Sequence, residues 1–260
     1  MVRTVRPLSE GTVLITGSQL TQGYGTHIVF KGLDIRLGTG VTALLGPNGA
    51  GKSTLLRTLA TVQPPRSGKL TFDGAAIDSE AAARKARRQI GYLPQRTGFE
   101  PGMRLRDFVE YAAWLRGLPS GEWRSAAEEA ISRVGLSARI RSRLGRLSGG
   151  MRQRAAVAWA IAGGPRLVIL DEPTVGLDPQ QRFRFREIVE SLEDTAVILS
   201  THLIDDVDAI GDRVLIMGSG RIMFDGTVAE LKDEDDDSAP GHTPLERAYM
   251  SLLPEQDREK

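Results

Sequence analysis

At 260 residues the chain can bury one large core, or a core with a smaller lobe. A formal net charge of +1 gives no general affinity for nucleic acid, and the absence of cysteine excludes disulfides and thiolate metal sites, as expected in a reducing compartment. No stretch approaches the roughly 18 uncharged apolar residues of a membrane span, and "MVRTVRPLSEGTVLITG" lacks the apolar core of a signal peptide. Any role at a membrane therefore needs another chain to cross it.

Residues 12–45 read as β-rich. "TVLITGSQL" and "HIVFKGLDIRL" set β-branched and apolar residues between glycines without helical spacing. "VTALL" (41–45) is a short apolar run suited to a buried strand. After it stands "GPNGAGKST", in which Gly46, Gly49 and Gly51 leave few Cβ atoms to block a ligand. Successive backbone N–H groups of such a loop can form an anion nest at a helix start. "KSTLLRTLA" then places Leu55, Leu56 and Leu59 at helical spacing. Strand, glycine loop, lysine, hydroxyl and helix make the phosphate-binding P-loop. The expected ligand is a nucleoside triphosphate, held by Gly46, Pro47, Asn48, Gly49, Ala50, Gly51, Lys52, Ser53 and Thr54.

Further along, "QPPRSGKLTFDG" reads as a turn followed by a strand, and "IGYLP" as a short strand stopped by Pro94. From Phe99 to about Leu147 the texture changes. "MRLRDFVEYAAWLRG" and "SAAEEAISRVG" carry apolar residues near a 3.6 period, which predicts a helical lobe inserted between core strands. "AAVAWAIAGG" (155–164) is about half a membrane span in length and reads as a buried helix. Alternation then returns: the strand "RLVILDE", the helix "PQQRFRFREIVESL", the strand "TAVILS", the helix "LIDDVDAI", and the strands "RVLIM" and "RIMFD". This pattern predicts an α/β layered core. "KDEDDDSAPGH" (232–242) reads as a solvated acidic linker, and "TPLERAYMSLL" as a short docking helix.

Two carboxylates end the apolar run "LVILDE". Asp171 is suited to hold Mg²⁺ through water while Ser53 supplies a hydroxyl to the same ion. Glu172 can then polarise a water near the γ-phosphate. An acidic strand end beside a turn is the bland alternative, and the P-loop upstream disfavours it. The arginines of "RKARR" (84–88), with Arg139, Arg141, Arg143 and Arg146, have no interleaved aromatics for base stacking and read as solvated faces.

"LSGGM" (147–151), followed by "RQR", resembles the signature sequence of ATP-binding cassette proteins, the ATPase subunits of ABC transporters. Ser148 is a good helix cap, and Gly149 and Gly150 let backbone approach phosphate. Met151 stands where glutamine is commonest in that family. Further residues match in order. Gln95 resembles the Q-loop glutamine that reaches Mg²⁺, and Asp178 in "VGLDP" the D-loop aspartate that faces the opposite subunit. His202 in "LSTH" resembles the switch histidine that contacts the γ-phosphate, and Tyr24 in "GYG" the ring that stacks on adenine.

The resemblance covers roughly residues 12–231, with a helical subdomain at about 99–150, and leaves 232–260 as acidic linker and short C-terminal helix. It implies an α/β P-loop ATPase core with an antiparallel β subdomain and an inserted helical signature subdomain. It implies ATP and Mg²⁺ as cofactors, and catalysis by Glu172, His202 and Gln95 with metal on Ser53, Asp171 and Gln95. A second ATPase subunit, in a homodimer, would bring its signature to each P-loop. A multi-span membrane permease would carry the substrate, and the ATPase would lie on the cytoplasmic face of the cell membrane as a peripheral subunit. Export is favoured over import. A non-transport cassette ATPase is the rival from another class, but its usual coiled-coil insertions, zinc modules or second cassette do not occur here. A small-molecule P-loop kinase is disfavoured by the signature and by Glu172. Met103, Leu105 and Phe108, just beyond Gln95, are candidates for the surface that meets the permease.

Overall fold

The computed structural model describes residues 13–192, 194–210 and 212–258. Of the N-terminal stretch read above, residues 1–12, with Thr12 at the start of the expected domain, lie outside them. In chain order the first elements are β1 (Val13–Tyr24), β2 (His27–Gly38), β3 (Gly40–Leu45) and α1 (Lys52–Leu59). Next come β4 (Ser67–Phe72), β5 (Ala75–Ala76), α2 (Glu80–Arg87) and β6 (Ile90–Leu93). The helical region holds α3 (Leu105–Leu115), α4 (Trp123–Arg133) and α5 (Gly149–Ile161). The alternating half follows as β7 (Leu167–Asp171), α6 (Pro179–Glu190), β8 (Ala196–Thr201), α7 (Ile204–Ile210), β9 (Arg213–Gly218) and β10 (Arg221–Gly226). Three short helices close the chain: α8 (Val228–Lys232), α9 (Pro244–Leu252) and α10 (Glu255–Arg258).

Two sheets result. One is antiparallel, in the order β2-β1-β4-β5. The other runs β10-β9-β3-β8-β7-β6, parallel except for β10 on its edge. β7 and β8 are buried along their whole length, as strands covered on both faces must be, which explains their unbroken apolar runs. Register fixes the site. Leu45 of β3 pairs with Thr201 of β8, and Asp171 of β7 pairs with Ser200, so three strands release their loops at one sheet edge. Crevices at the carboxyl ends of parallel strands are where open α/β sheets bind ligands.

In the helical region α3 buries Leu105, Phe108, Val109 and Ala112, spaced along one helix face. This corrects the permease-surface expectation. Leu105 and Phe108 are core, and Met103 packs partly buried against it. The opposite face instead exposes Tyr111, Trp114 and Leu115, with the Tyr111 and Trp114 rings stacked at 5.3 Å. The run "RKARR" lies at the end of α2, whose Ser79 cap accepts from the Ala82 N–H.

Arg116, which caps α3, is buried and donates to the carbonyls of Trp159, Ala160 and Ala162 at the end of α5. Its guanidinium faces the negative end of that helix, and burial pulls its pKa down to about 10. Arg116→Ala leaves those carbonyls buried without a donor. Expected is a loss on the order of 3 kcal/mol in urea unfolding, against little change for the exposed Arg139→Ala.

At the C-terminal end, Thr243 and Glu246 form a capping box at the start of α9, with Pro244 in the first turn. The helix buries Leu245, Ala248 and Tyr249 in one cluster with Ala43, Leu45, Val214 and Ile216. The acidic stretch before it is not wholly solvated, because the Asp235 side chain is largely covered and pairs with Arg247, whereas Asp237, also in reach of Arg247, stays exposed. Among the described residues no helix is long and apolar enough to cross a membrane.

Candidate functional site

The P-loop bridges β3 and α1. Gly49 (φ 82°) and Gly51 (φ 107°) take left-handed conformations that a Cβ disfavours. A Cβ on Gly51 would also lie 2.8 Å from Val29 Cγ1 and 2.9 Å from Met217 Cε. Sterics therefore impose two of the motif's glycines independently of any ligand. The Ala50 carbonyl accepts from the Gly220 N–H at 3.3 Å, so the β9–β10 turn supports the loop from behind. Asn48 and Gly49 form its exposed rim.

Lys52 is only 5% exposed, and its Nζ lies 2.5 Å from the Gly46 carbonyl and 3.0 Å from that of Pro47. Burial pushes its ammonium below the ordinary lysine value, an effect that Glu172 and Asp171 partly oppose. The loop is thus curled around its own cation. Thr54, one turn into α1, has its hydroxyl 3.3 Å from that of Tyr24, whose ring is 46% exposed. Arg57 reaches the same Tyr24 oxygen at 3.4 Å.

Asp171 ends β7 at 1% exposure. Its Oδ1 accepts from Ser53 Oγ at 3.0 Å and from Ser200 Oγ at 2.8 Å, while Oδ2 is buried with no hydrogen-bond partner. A buried carboxylate oxygen left unpaired beside a serine hydroxyl fits a divalent cation of the hard, oxygen-seeking kind. Among the described residues no cluster of three or more His, Cys, Asp or Glu can hold a metal. Such an ion would take Asp171 and Ser53, with its other positions filled by water and phosphate oxygens, as Mg²⁺ does in nucleotide sites.

Glu172 follows in a left-handed conformation (φ 50°), rare for a residue with a side chain and worth roughly 1–3 kcal/mol of strain. Ser200 Oγ accepts its N–H at 2.9 Å, so one hydroxyl holds both carboxylate residues. The sequence reading did not single out Ser200. Its only signal there is a serine in "LSTH", and its role appears once β7 and β8 pair in register. Glu172 Oε2 accepts from Gln95 Nε2 at 2.9 Å, and Oε1 lies 3.7 Å from His202 Nδ1. The structure therefore brings Glu172, Gln95 and His202 together and puts the Gln95 amide on Glu172 rather than on the Asp171–Ser53 pair. That trio can hold a polar group between an acid, an amide and an imidazole.

The signature residues sit at the start of a different helix, α5. Ser148 caps α5 and accepts from the Met151 N–H at 3.3 Å, and its carbonyl accepts from Arg152. Open space faces Gly149, whereas a Cβ on Gly150 would run into the Gln181 amide of α6. Asp178 caps α6, accepting the Gln181 N–H at 2.8 Å and its Nε2 at 2.6 Å. The starts of α5 and α6 are therefore neighbours, and Ser148, Gly149 and Asp178 are all exposed. Gln153 Nε2 donates to the Pro173 carbonyl at 2.7 Å, tying α5 to the loop after Glu172.

A family profile described as ABC transporter matches residues 30–175. The chain is 34% identical over 221 residues to the linearmycin resistance ATP-binding protein LnrL of Bacillus subtilis, across 84% of this chain and 70% of that protein. It is 33% identical over 220 residues to the Nod factor export ATP-binding protein I of Rhizobium etli, across 84% and 69% of the two chains. Among solved structures, cbiO1 from Clostridium perfringens is described as part of the ABC transporter complex cbiONQ. It matches with a TM-score of 0.75 at 31% identity, over 86% of this chain and 92% of that one.

Proposed function

This chain belongs to the ABC transporter family as one of its ATP-binding, ATP-hydrolysing subunits, and we propose that it powers export through a separate multi-span permease. One observation carries the reading of the site. The P-loop, the Asp171–Ser53 pair and the Glu172–Gln95–His202 trio meet at one sheet edge, while the serine-capped, glycine-bearing start of α5 is left exposed. Names among the relatives that include linearmycin resistance and Nod factor export support the direction.

On this reading ATP displaces the Gly46 and Pro47 carbonyls from Lys52, whose ammonium turns to the β- and γ-phosphates alongside the loop N–H groups. The Tyr24 ring stacks on adenine. Bound Mg²⁺ on Asp171 and Ser53 would offset phosphate charge. Glu172 takes a proton from the attacking water, oriented by Gln95, and His202 aligns the γ-phosphate. Ser148, Gly149 and Gly150 complete the site of a second subunit, with Asp178 beside them at the shared interface. Closure of the pair on ATP, and its opening after hydrolysis, drive the permease from a peripheral position on the cytoplasmic face.

The exposed Tyr111–Trp114–Leu115 face of α3 is the surface proposed to meet that permease, in place of the buried Leu105 and Phe108. The test is affinity purification of the tagged chain from detergent-solubilised membranes. A multi-span protein should co-purify and be lost from Tyr111→Asp and Trp114→Asp, with basal ATPase kept within about twofold because neither side chain lies in the core. Undiminished co-purification would move the docking surface elsewhere. Recovery of a soluble partner instead of a membrane protein would favour the non-transport class.

A further inference from the structure

We propose that Asp206 is a positioning residue for hydrolysis: one buried carboxylate on α7 sets the separation between Glu172 and His202. The inference rests on the reading of Glu172 and His202 given above. Asp206 is 0% exposed. Its Oδ2 accepts from Thr174 Oγ1 at 2.6 Å and from Thr201 Oγ1 at 3.5 Å, and its Oδ1 lies 3.4 Å from Arg186 Nη2. These three partners come from different places. Thr174 lies two residues after Glu172, Thr201 immediately precedes His202, and Arg186 is on α6, the helix that Asp178 caps.

Filling this space with an apolar residue would avoid the desolvation of a charge, as the neighbouring buried Val207 does. What a carboxylate adds is a fixed direction to each hydroxyl. Thr201 Oγ1 also accepts the Leu203 N–H at 3.0 Å, so the turn carrying His202 is closed against the group that Asp206 anchors. On the other side, Thr174 Oγ1 pins the loop whose first residue is the strained Glu172. Ser200 stitches the same two strand ends from the side of Asp171. Glu172 and His202 are therefore held from both flanks. Asp206 is the flank that also reaches α6, and so the part of the chain next to the signature.

A misplacement of about 1 Å at a reacting group can cost on the order of 10²-fold in rate. Asp206→Ala is expected to lower kcat by roughly that factor, with the KM for ATP and the affinity for a fluorescent ATP analogue changed less than about twofold. Asp206→Asn keeps the size and can still accept from Thr174, so a loss of only several-fold is expected. The deciding measurement is a double-mutant cycle. In a His202→Ala background, Asp206→Ala should cost less than about threefold more, because the Glu172–His202 separation that it sets no longer exists. The same roughly 10²-fold loss in both backgrounds, or a parallel loss of nucleotide affinity, would mean that Asp206 only holds the fold. Where Asp206→Ala fails to fold, Asp206→Asn runs the same cycle, and a wild-type kcat for it overturns the proposal. Glu172→Gln and His202→Ala alone report on the underlying reading. Wild-type hydrolysis by either removes that reading, whereas two strongly impaired controls beside a fully active Asp206→Ala remove the positioning role alone.

Discussion

Replacing Glu172 by glutamine should lower ATP turnover by roughly 10²–10⁴-fold, the usual contribution of a general base, while nucleotide binding stays intact. The substitution keeps the length and shape of the side chain, and an amide oxygen can still accept from Gln95 Nε2. It removes only the capacity to take a proton. The left-handed backbone at this position is unchanged by it, and so is the Ser200 hydroxyl on its N–H, so thermal stability should stay near that of the parent. With hydrolysis blocked, ATP should accumulate a dimer visible by size exclusion, which collapses when Mg²⁺ is chelated. Near-parent turnover in the purified variant would falsify the role of Glu172 as base. Turnover lost together with nucleotide binding would instead make it a structural prop for Lys52, whose buried charge it partly balances.

Why Glu172 stands out as a candidate in the sequence, and the contacts of Ser200 and Asp206 do not, is a matter of what a linear pattern records. β7 and β8 are short, largely apolar runs that show in the sequence because strands covered on both faces must be apolar almost throughout. The P-loop is legible because Gly49 and Gly51 are demanded by local backbone geometry, and Lys52 and Ser53 stand at fixed offsets from them. The docking of α9 is likewise local, with a capping box followed by apolar residues on one face. α2 is harder to read, since it buries only Ala83 and Ala86 and leaves its arginines as the visible feature. The bonds from Ser200 to Asp171 and from Thr174 to Asp206 each span about thirty residues, brought close by strand register and helix packing. Nothing at the positions of Ser200 and Asp206 marks them. The choice of face on α3 failed for a related reason. Leu105 and Phe108 on one side, and Tyr111, Trp114 and Leu115 on the other, are both apolar enough to be core. Only the packing of α4 and α5 decides between them.

The same separation of local from assembled features governs the test of the proposed shared site. Ser148 lies on an exposed helix start whose hydrogen bonds stay within α5, so Ser148→Arg should leave nucleotide binding by the monomer nearly intact. Loss of the cap costs only about 1 kcal/mol, too little to unfold the chain. Lys52→Ala acts inside one chain. A charge-assisted contact to phosphate is worth about 1.5–3 kcal/mol, or on the order of 10–150-fold in nucleotide affinity. Each variant alone should show hydrolysis close to background. Mixed in equal amounts, they should recover activity, because a dimer of one with the other assembles one site from an intact Lys52 and an intact Ser148. Random pairing makes half of the dimers mixed, and each holds one good site of two, so recovery should approach roughly a quarter of the parent rate. Adding Glu172→Gln to the Ser148→Arg chain should abolish that recovery, since the chain with intact Lys52 also supplies the base. Placing Glu172→Gln on the Lys52→Ala chain should spare it. No recovery from two variants that still dimerise would mean that each site is contained within a single subunit, whereas recovery that ignores which chain carries Glu172→Gln would mean that Glu172 is not the base of the site that holds Lys52.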